Sequence, residues 1–89
     1  MKKIVIVDDH PIVREGFKKL INSESDFDVA GTAETAIEAV ELIQETNPDV
    51  AMVDLSLKES SGIELIKDLQ VICPEVRILV VSLHDEEIY

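Results

Sequence analysis

Ile4-Val5-Ile6-Val7-Asp8-Asp9-His10-Pro11 joins four consecutive β-branched apolar residues to two carboxylates and a turn-forming pair. A short apolar run that stops so abruptly reads as a strand buried on both faces. Two further runs repeat the design: residues 50–53 end on Asp54, and residues 78–81 end on Ser82. In an open parallel sheet, functional groups collect just outside the carboxyl ends of the strands. Three runs ending on oxygen-bearing side chains therefore point to a phosphate and metal site.

The segments between these runs have helical length and spacing. Pro11 suits the first turn of a helix, and Val13, Phe17, Leu20 and Ile21 follow as an apolar stripe reaching about Asn22. Residues 27–33 form a weaker strand, interrupted by Asp28 and Gly31, as expected of a sheet edge. Thr35 and Glu38 have capping-box spacing ahead of a second stripe of Ala36, Ile37, Val40 and Ile43, and Asn47-Pro48 closes that helix. After a polar connection over residues 55–61, Gly62 opens a third helix with the stripe Ile66, Leu69, Ile72 and Cys73, which Pro74 ends. The fourth strand covers residues 76–81. The order β-α-β-α-β-α-β favours an α/β fold with a parallel sheet and helices on its faces.

Eighty-nine residues support one domain, 1–89, with a modest core. The net charge of −11 is uneven: residues 1–21 carry five basic and three acidic groups, leaving three basic and sixteen acidic for the remainder. Such a surface repels phosphate backbones and anionic membranes, so direct nucleic-acid or membrane binding is not expected. Most of the acid, including Glu38, Glu41 and Glu45, reads as solvated helix face. The lone Cys73 allows no internal disulfide and reads as a small buried hydrophobe in a reducing compartment. The first apolar run is too short for a signal sequence or membrane span, which makes the cytoplasm the expected location.

Carboxylates gathered at strand ends are costly unless a cation compensates them. Mg²⁺ suits this role because it prefers oxygen ligands and often takes only one or two protein carboxylates. Asp9 and Asp54 can supply these, with Asp8 acting through water. Once a metal is placed, Asp54 becomes a candidate nucleophile, since aspartate can form an acyl phosphate. Ser82 can donate to a phosphoryl oxygen. Plainer readings stand beside these: Asp8 and Asp9 as caps of the first helix, and Ser82 as ordinary turn chemistry.

The arrangement resembles the receiver domain of two-component response regulators. The resemblance rests on the acidic pair in Val7-Asp8-Asp9-His10, the acceptor in Val53-Asp54-Leu55-Ser56-Leu57, Gly62, and Ser82 after strand four. Asp9-His10-Pro11-Ile12-Val13-Arg14-Glu15-Gly16 and Ser82-Leu83-His84-Asp85-Glu86 are most similar to the branch that precedes a LuxR-type helix-turn-helix domain. The resemblance implies a flavodoxin-like doubly wound sheet of strand order 2-1-3-4, a topology carried over from the family. It also implies that Asp54 accepts phosphate from a sensor histidine kinase, that Asp8, Asp9, Asp54 and the Ser56 main-chain carbonyl hold Mg²⁺, and that Ser82 is the phosphate-contacting hydroxyl. The chain would control transcription through a DNA-binding domain absent here, without being an enzyme itself. Lys58 stands where many receivers have proline, and should alter loop rigidity more than chemistry.

By the same resemblance, a fifth strand with its phosphate-contacting lysine and the last two helices are missing. The reading is thus of a truncated receiver with impaired activity, whose exposed strand-four edge or uncovered sheet face promotes self-association, giving a dimer. A repurposed dimerisation module without phosphotransfer is the alternative. An aspartyl phosphatase ranks last, because such enzymes often carry a second acid where this chain has Ser56.

Overall fold

The computed structural model describes residues 1–55 and 62–81. Within them the chain runs β1 (Lys2–Val7), α1 (Pro11–Asn22), β2 (Phe27–Ala33), α2 (Ala36–Thr46), β3 (Val50–Asp54), α3 (Gly62–Ile72) and β4 (Arg77–Val81). The four strands form one parallel sheet in the order β2-β1-β3-β4, the flavodoxin-like α/β arrangement expected. The β1 run lies between β2 and β3, which is why it must be apolar on both faces. Ile4, Val5, Ile6 and Val7 are all buried.

Side-chain alternation gives the sheet two unequal faces. Val5 and Val7 of β1, with Ala51 and Val53 of β3, pack with Ala33, Ala39, Ile43, Leu65, Leu69 and Val76 into a core beneath α2 and α3. The opposite face carries Ile4, Val50, Met52 and Leu79. Together with Phe17, Leu20, Ile21 and Phe27 these line an apolar groove of about 410 Å³. Helix α1 has no fully buried residue, and Leu79 remains 50% exposed.

Helix ends follow the local chemistry. Thr35 caps α2 by accepting the Glu38 N–H at 3.2 Å, while the Glu38 carboxylate reaches back to the Glu34 N–H at 3.0 Å. This is a capping box whose return bond lands one residue earlier than usual. Asn47 ends α2 in the left-handed conformation at φ 51°, which asparagine tolerates. In β2, the register slips between Ile4↔Val29 and Val5↔Gly31, so Ala30 is the extra residue of a bulge.

Three expectations need correction. The α2 stripe turns inward through Ala39 and Ile43, leaving Ile37 75% exposed. In α3, Leu65 rather than Ile66 is the buried partner of Leu69, and Ile72 lies largely outside. Both helices carry apolar residues around much of their circumference, so periodicity alone does not select the face. Cys73 is half-buried at the core margin rather than enclosed. No helix among the described residues is long and apolar enough to cross a membrane.

Candidate functional site

Parallel pairing of β1 and β3, with Val7 opposite Val53, brings their carboxyl ends to the same edge of the sheet. Asp8 follows β1 immediately, and Asp54 is the last residue of β3. Both are only 2% exposed, an unusual depth for carboxylates. Asp9 joins them at the rim, and ligand-type atoms of Asp8, Asp9, His10 and Asp54 all lie within 4.8 Å of one another.

Asp8 is held by its neighbours. Its Oδ1 accepts the His10 backbone N–H at 2.8 Å, and Arg14 donates through a guanidinium nitrogen to the Asp8 carbonyl at 3.0 Å. The other guanidinium arm meets Glu34 Oε1 at 3.2 Å, which ties the first turn of α1 to the end of β2. The Asp8 N–H donates to the Ala33 carbonyl at 3.0 Å. These bonds answer the plainer reading of Asp8 as a helix cap. His10 is the N-cap of α1 and makes no side-chain cap bond, while Asp8 Oδ1 turns to the N–H of His10 itself.

On the other side, Gly62 opens α3 directly against the end of β3. A Cβ at Gly62 would lie 2.7 Å from the Asp54 carbonyl oxygen and 2.7 Å from Leu55 Cα. Only glycine allows the helix to start this close to the backbone that carries Asp54. The Leu55 N–H donates to the Val81 carbonyl at 3.0 Å, extending the sheet to the edge of the site.

His10 is the residue that the reading of the sequence did not assign. Its Nδ1 stands 3.0 Å from Asp8 Oδ1, 3.1 Å from Asp9 Oδ1 and 3.5 Å from Asp54 Oδ2. The hydrogen bond to Asp8 raises the imidazole above its ordinary value of 6.5; desolvation opposes this, and the charges of Asp9, Asp8 and Asp54 reinforce it. A signal was available: a histidine between an acidic pair and a proline at the first helical position must sit where the chain turns over that pair.

Asp8, Asp9 and Asp54 are thus brought together as expected. Ser56 and Ser82 lie outside the described residues. As a donor set, three carboxylates at two strand ends fit a small hard cation, because they are oxygen ligands whose mutual repulsion a divalent ion would relieve.

Residues 4–89 match the family described as the response regulator receiver domain. The transcriptional regulatory protein DegU of Brevibacillus brevis is 41% identical over 87 residues, covering 98% of this chain and 37% of that protein. A LuxR-family two-component response regulator from Aurantimonas sp. superposes with a TM-score of 0.88 at 39% identity, over 94% of this chain and 60% of that one. The response regulator domain of Thermotoga maritima CheB gives 0.89 at 34% identity, over 98% and 64%. The chain spans less than half the length of the curated relatives that it matches.

Proposed function

The chain belongs to the response regulator receiver domain family, and from that premise we propose that Asp54 accepts a phosphoryl group from the phosphohistidine of a sensor histidine kinase. One observation carries the proposal: the buried carboxylates of Asp8 and Asp54, from two separate strand ends, meet Asp9 within one small cluster. In the transfer, an Asp54 carboxylate oxygen forms the new bond to phosphorus as the phosphorus–nitrogen bond to the donor imidazole breaks. The leaving imidazole keeps that bonding pair. Parallel pairing of Val7 with Val53 holds the two strand ends side by side, and the Gly62 contact seats α3 against the backbone of Asp54, which is the positioning that such a transfer needs.

Asp8, Asp9 and Asp54 would hold Mg²⁺, with the Ser56 main-chain carbonyl as a further ligand. When bound, the ion supplies charge neutralisation for the phosphoryl oxygens. Ser82 would donate its hydroxyl to one of those oxygens. Residues 1–89 act as one receiver domain in the cytoplasm, phosphorylated by the kinase rather than acting as an enzyme. The likeness to LuxR-family regulators supports an output in transcription, through a DNA-binding domain outside these residues. The assembled carboxylates lend no support to the module without phosphotransfer, nor to the impairment expected above.

Self-association belongs to the same proposal, with a second copy as the partner. Among the described residues β4 has a strand neighbour on one side only, and Leu79 and Val80 are about half exposed. Pairing of two such edges would cover both residues.

The test is exposure to acetyl phosphate with Mg²⁺, followed by intact-mass measurement. A gain of one phosphoryl group that is absent in Asp54→Ala and without Mg²⁺ supports the proposal. An unmodified wild-type chain, or equal modification of Asp54→Ala, contradicts it.

A further inference from the structure

A side chain of the protein itself lies among the carboxylates that would bind the metal. His10 Nδ1 approaches Asp8, Asp9 and Asp54 at 3.0, 3.1 and 3.5 Å, so one ring nitrogen addresses all three carboxylates. The backbone directs it there. His10 is extended at φ −103° and ψ 106°, its N–H donates to the same Asp8 Oδ1, and its carbonyl accepts the Arg14 N–H at 2.9 Å. Pro11 then begins α1 without needing a bond partner for a backbone N–H.

Mg²⁺ binds oxygen at about 2.1 Å in near-octahedral geometry and usually keeps several waters. An imidazole resting against the same three carboxylates fills space that the ion and its waters require. The ring nitrogen hydrogen-bonds to Asp8 Oδ1 and lies within ion-pair distance of Asp9 Oδ1 and Asp54 Oδ2, so the ring is held among the carboxylates. A third of the His10 side chain is exposed, so the ring has a way out toward solvent by rotation about its own side-chain bonds.

Resting on the receiver reading of this site, we infer that His10 is a displaceable plug: its ring competes with Mg²⁺ for the space between the three carboxylates, withdraws when the ion binds, and thereby sets the affinity for the ion. It is a positioning residue rather than a ligand, because imidazole is a softer donor than Mg²⁺ prefers. The apparent affinity is lowered by the fraction of time that the ring is in place. A hydrogen bond to a charged group has a net worth that corresponds to roughly a tenfold effect.

The test is calorimetric titration of the whole chain with MgCl₂, comparing wild type, His10→Ala, His10→Asn and Asp9→Ala. Asparagine keeps a good N-cap residue for α1 while withdrawing the ring, so the fold is protected in at least one variant. Both His10 variants should bind Mg²⁺ about tenfold more tightly. The wild-type His10 ring resonances should move during the titration with the same midpoint as the heat signal. Weaker binding in both variants would make His10 a ligand, and unchanged binding would leave it a helix-end residue; either result overturns the inference. If wild type binds Mg²⁺ and Asp9→Ala does not, the site reading stands whatever the His10 variants do. If no form binds Mg²⁺, the site reading falls and the plug with it.

Discussion

Replacing Gly62 by alanine tests how tightly the end of β3 is wedged against α3. The added Cβ would stand 2.7 Å from both the Asp54 carbonyl oxygen and Leu55 Cα, and 3.1 Å from the Leu55 carbonyl carbon. Ordinary contact begins at 3.4 Å, so the helix start or the strand end must move by about 0.7 Å. Overpacking of this kind typically costs about 1–3 kcal/mol. Alanine's better helix propensity returns up to about 1 kcal/mol in a helix interior, and less at the first residue. The net expectation is destabilisation by about 1–2 kcal/mol, read as a lower urea midpoint with an unchanged slope. Gly16 supplies the control. It lies inside α1 with nothing within 4 Å of its would-be Cβ, so Gly16→Ala should stabilise by about 0.5–1 kcal/mol. The same chemical change thus carries opposite signs at two helical positions. Because the clash falls on the backbone of Asp54, Gly62→Ala should also slow phosphorylation by acetyl phosphate by roughly tenfold or more. Stabilisation of both variants by similar amounts, with phosphorylation intact, would refute the wedge.

Leu69→Ala removes a fully buried side chain beneath the sheet and should cost about 2–5 kcal/mol, whereas Leu79→Ala, on the open face, should cost under about 1 kcal/mol in thermal or urea unfolding. Thr35→Ala deletes one half of the α2 capping box and should cost about 1 kcal/mol by the same assay, with Thr35→Ser nearly neutral. Sedimentation at high micromolar concentration should show a second-copy assembly that Leu79→Lys disperses; a compact monomer at all concentrations would count against edge or face pairing.

The strands were legible because each central run is short, apolar and cut off by a polar residue, a pattern with few other solutions. The β1 run gave itself away most plainly, since only a strand with neighbours on both sides needs Ile4 to Val7 all buried. Helix existence was equally readable, through Pro11, the Thr35–Glu38 pair, Asn47-Pro48 and Pro74. Helix phase was not. Ile63, Leu65, Ile66, Leu69, Val71 and Ile72 surround α3, and tertiary packing, not periodicity, decided that Leu65 and Leu69 turn inward. In the site, the clustering of Asp8, Asp9 and Asp54 was legible because both acidic segments stand directly at the ends of apolar runs. His10 escaped because its significance lies in a side-chain direction set by the turn into α1, which residue type and spacing do not express.

The central claim is that the strand ends assemble a phosphoacceptor at Asp54, and chemical trapping tests it most directly. Treatment with acetyl phosphate and Mg²⁺, then borohydride, reduces an aspartyl acyl phosphate to the alcohol, and peptide sequencing by mass spectrometry locates the reduced residue. The account predicts reduction at Asp54 alone, dependent on Mg²⁺ and on Asp9. Reduction at another carboxylate, or at none while Mg²⁺ is bound, would contradict it.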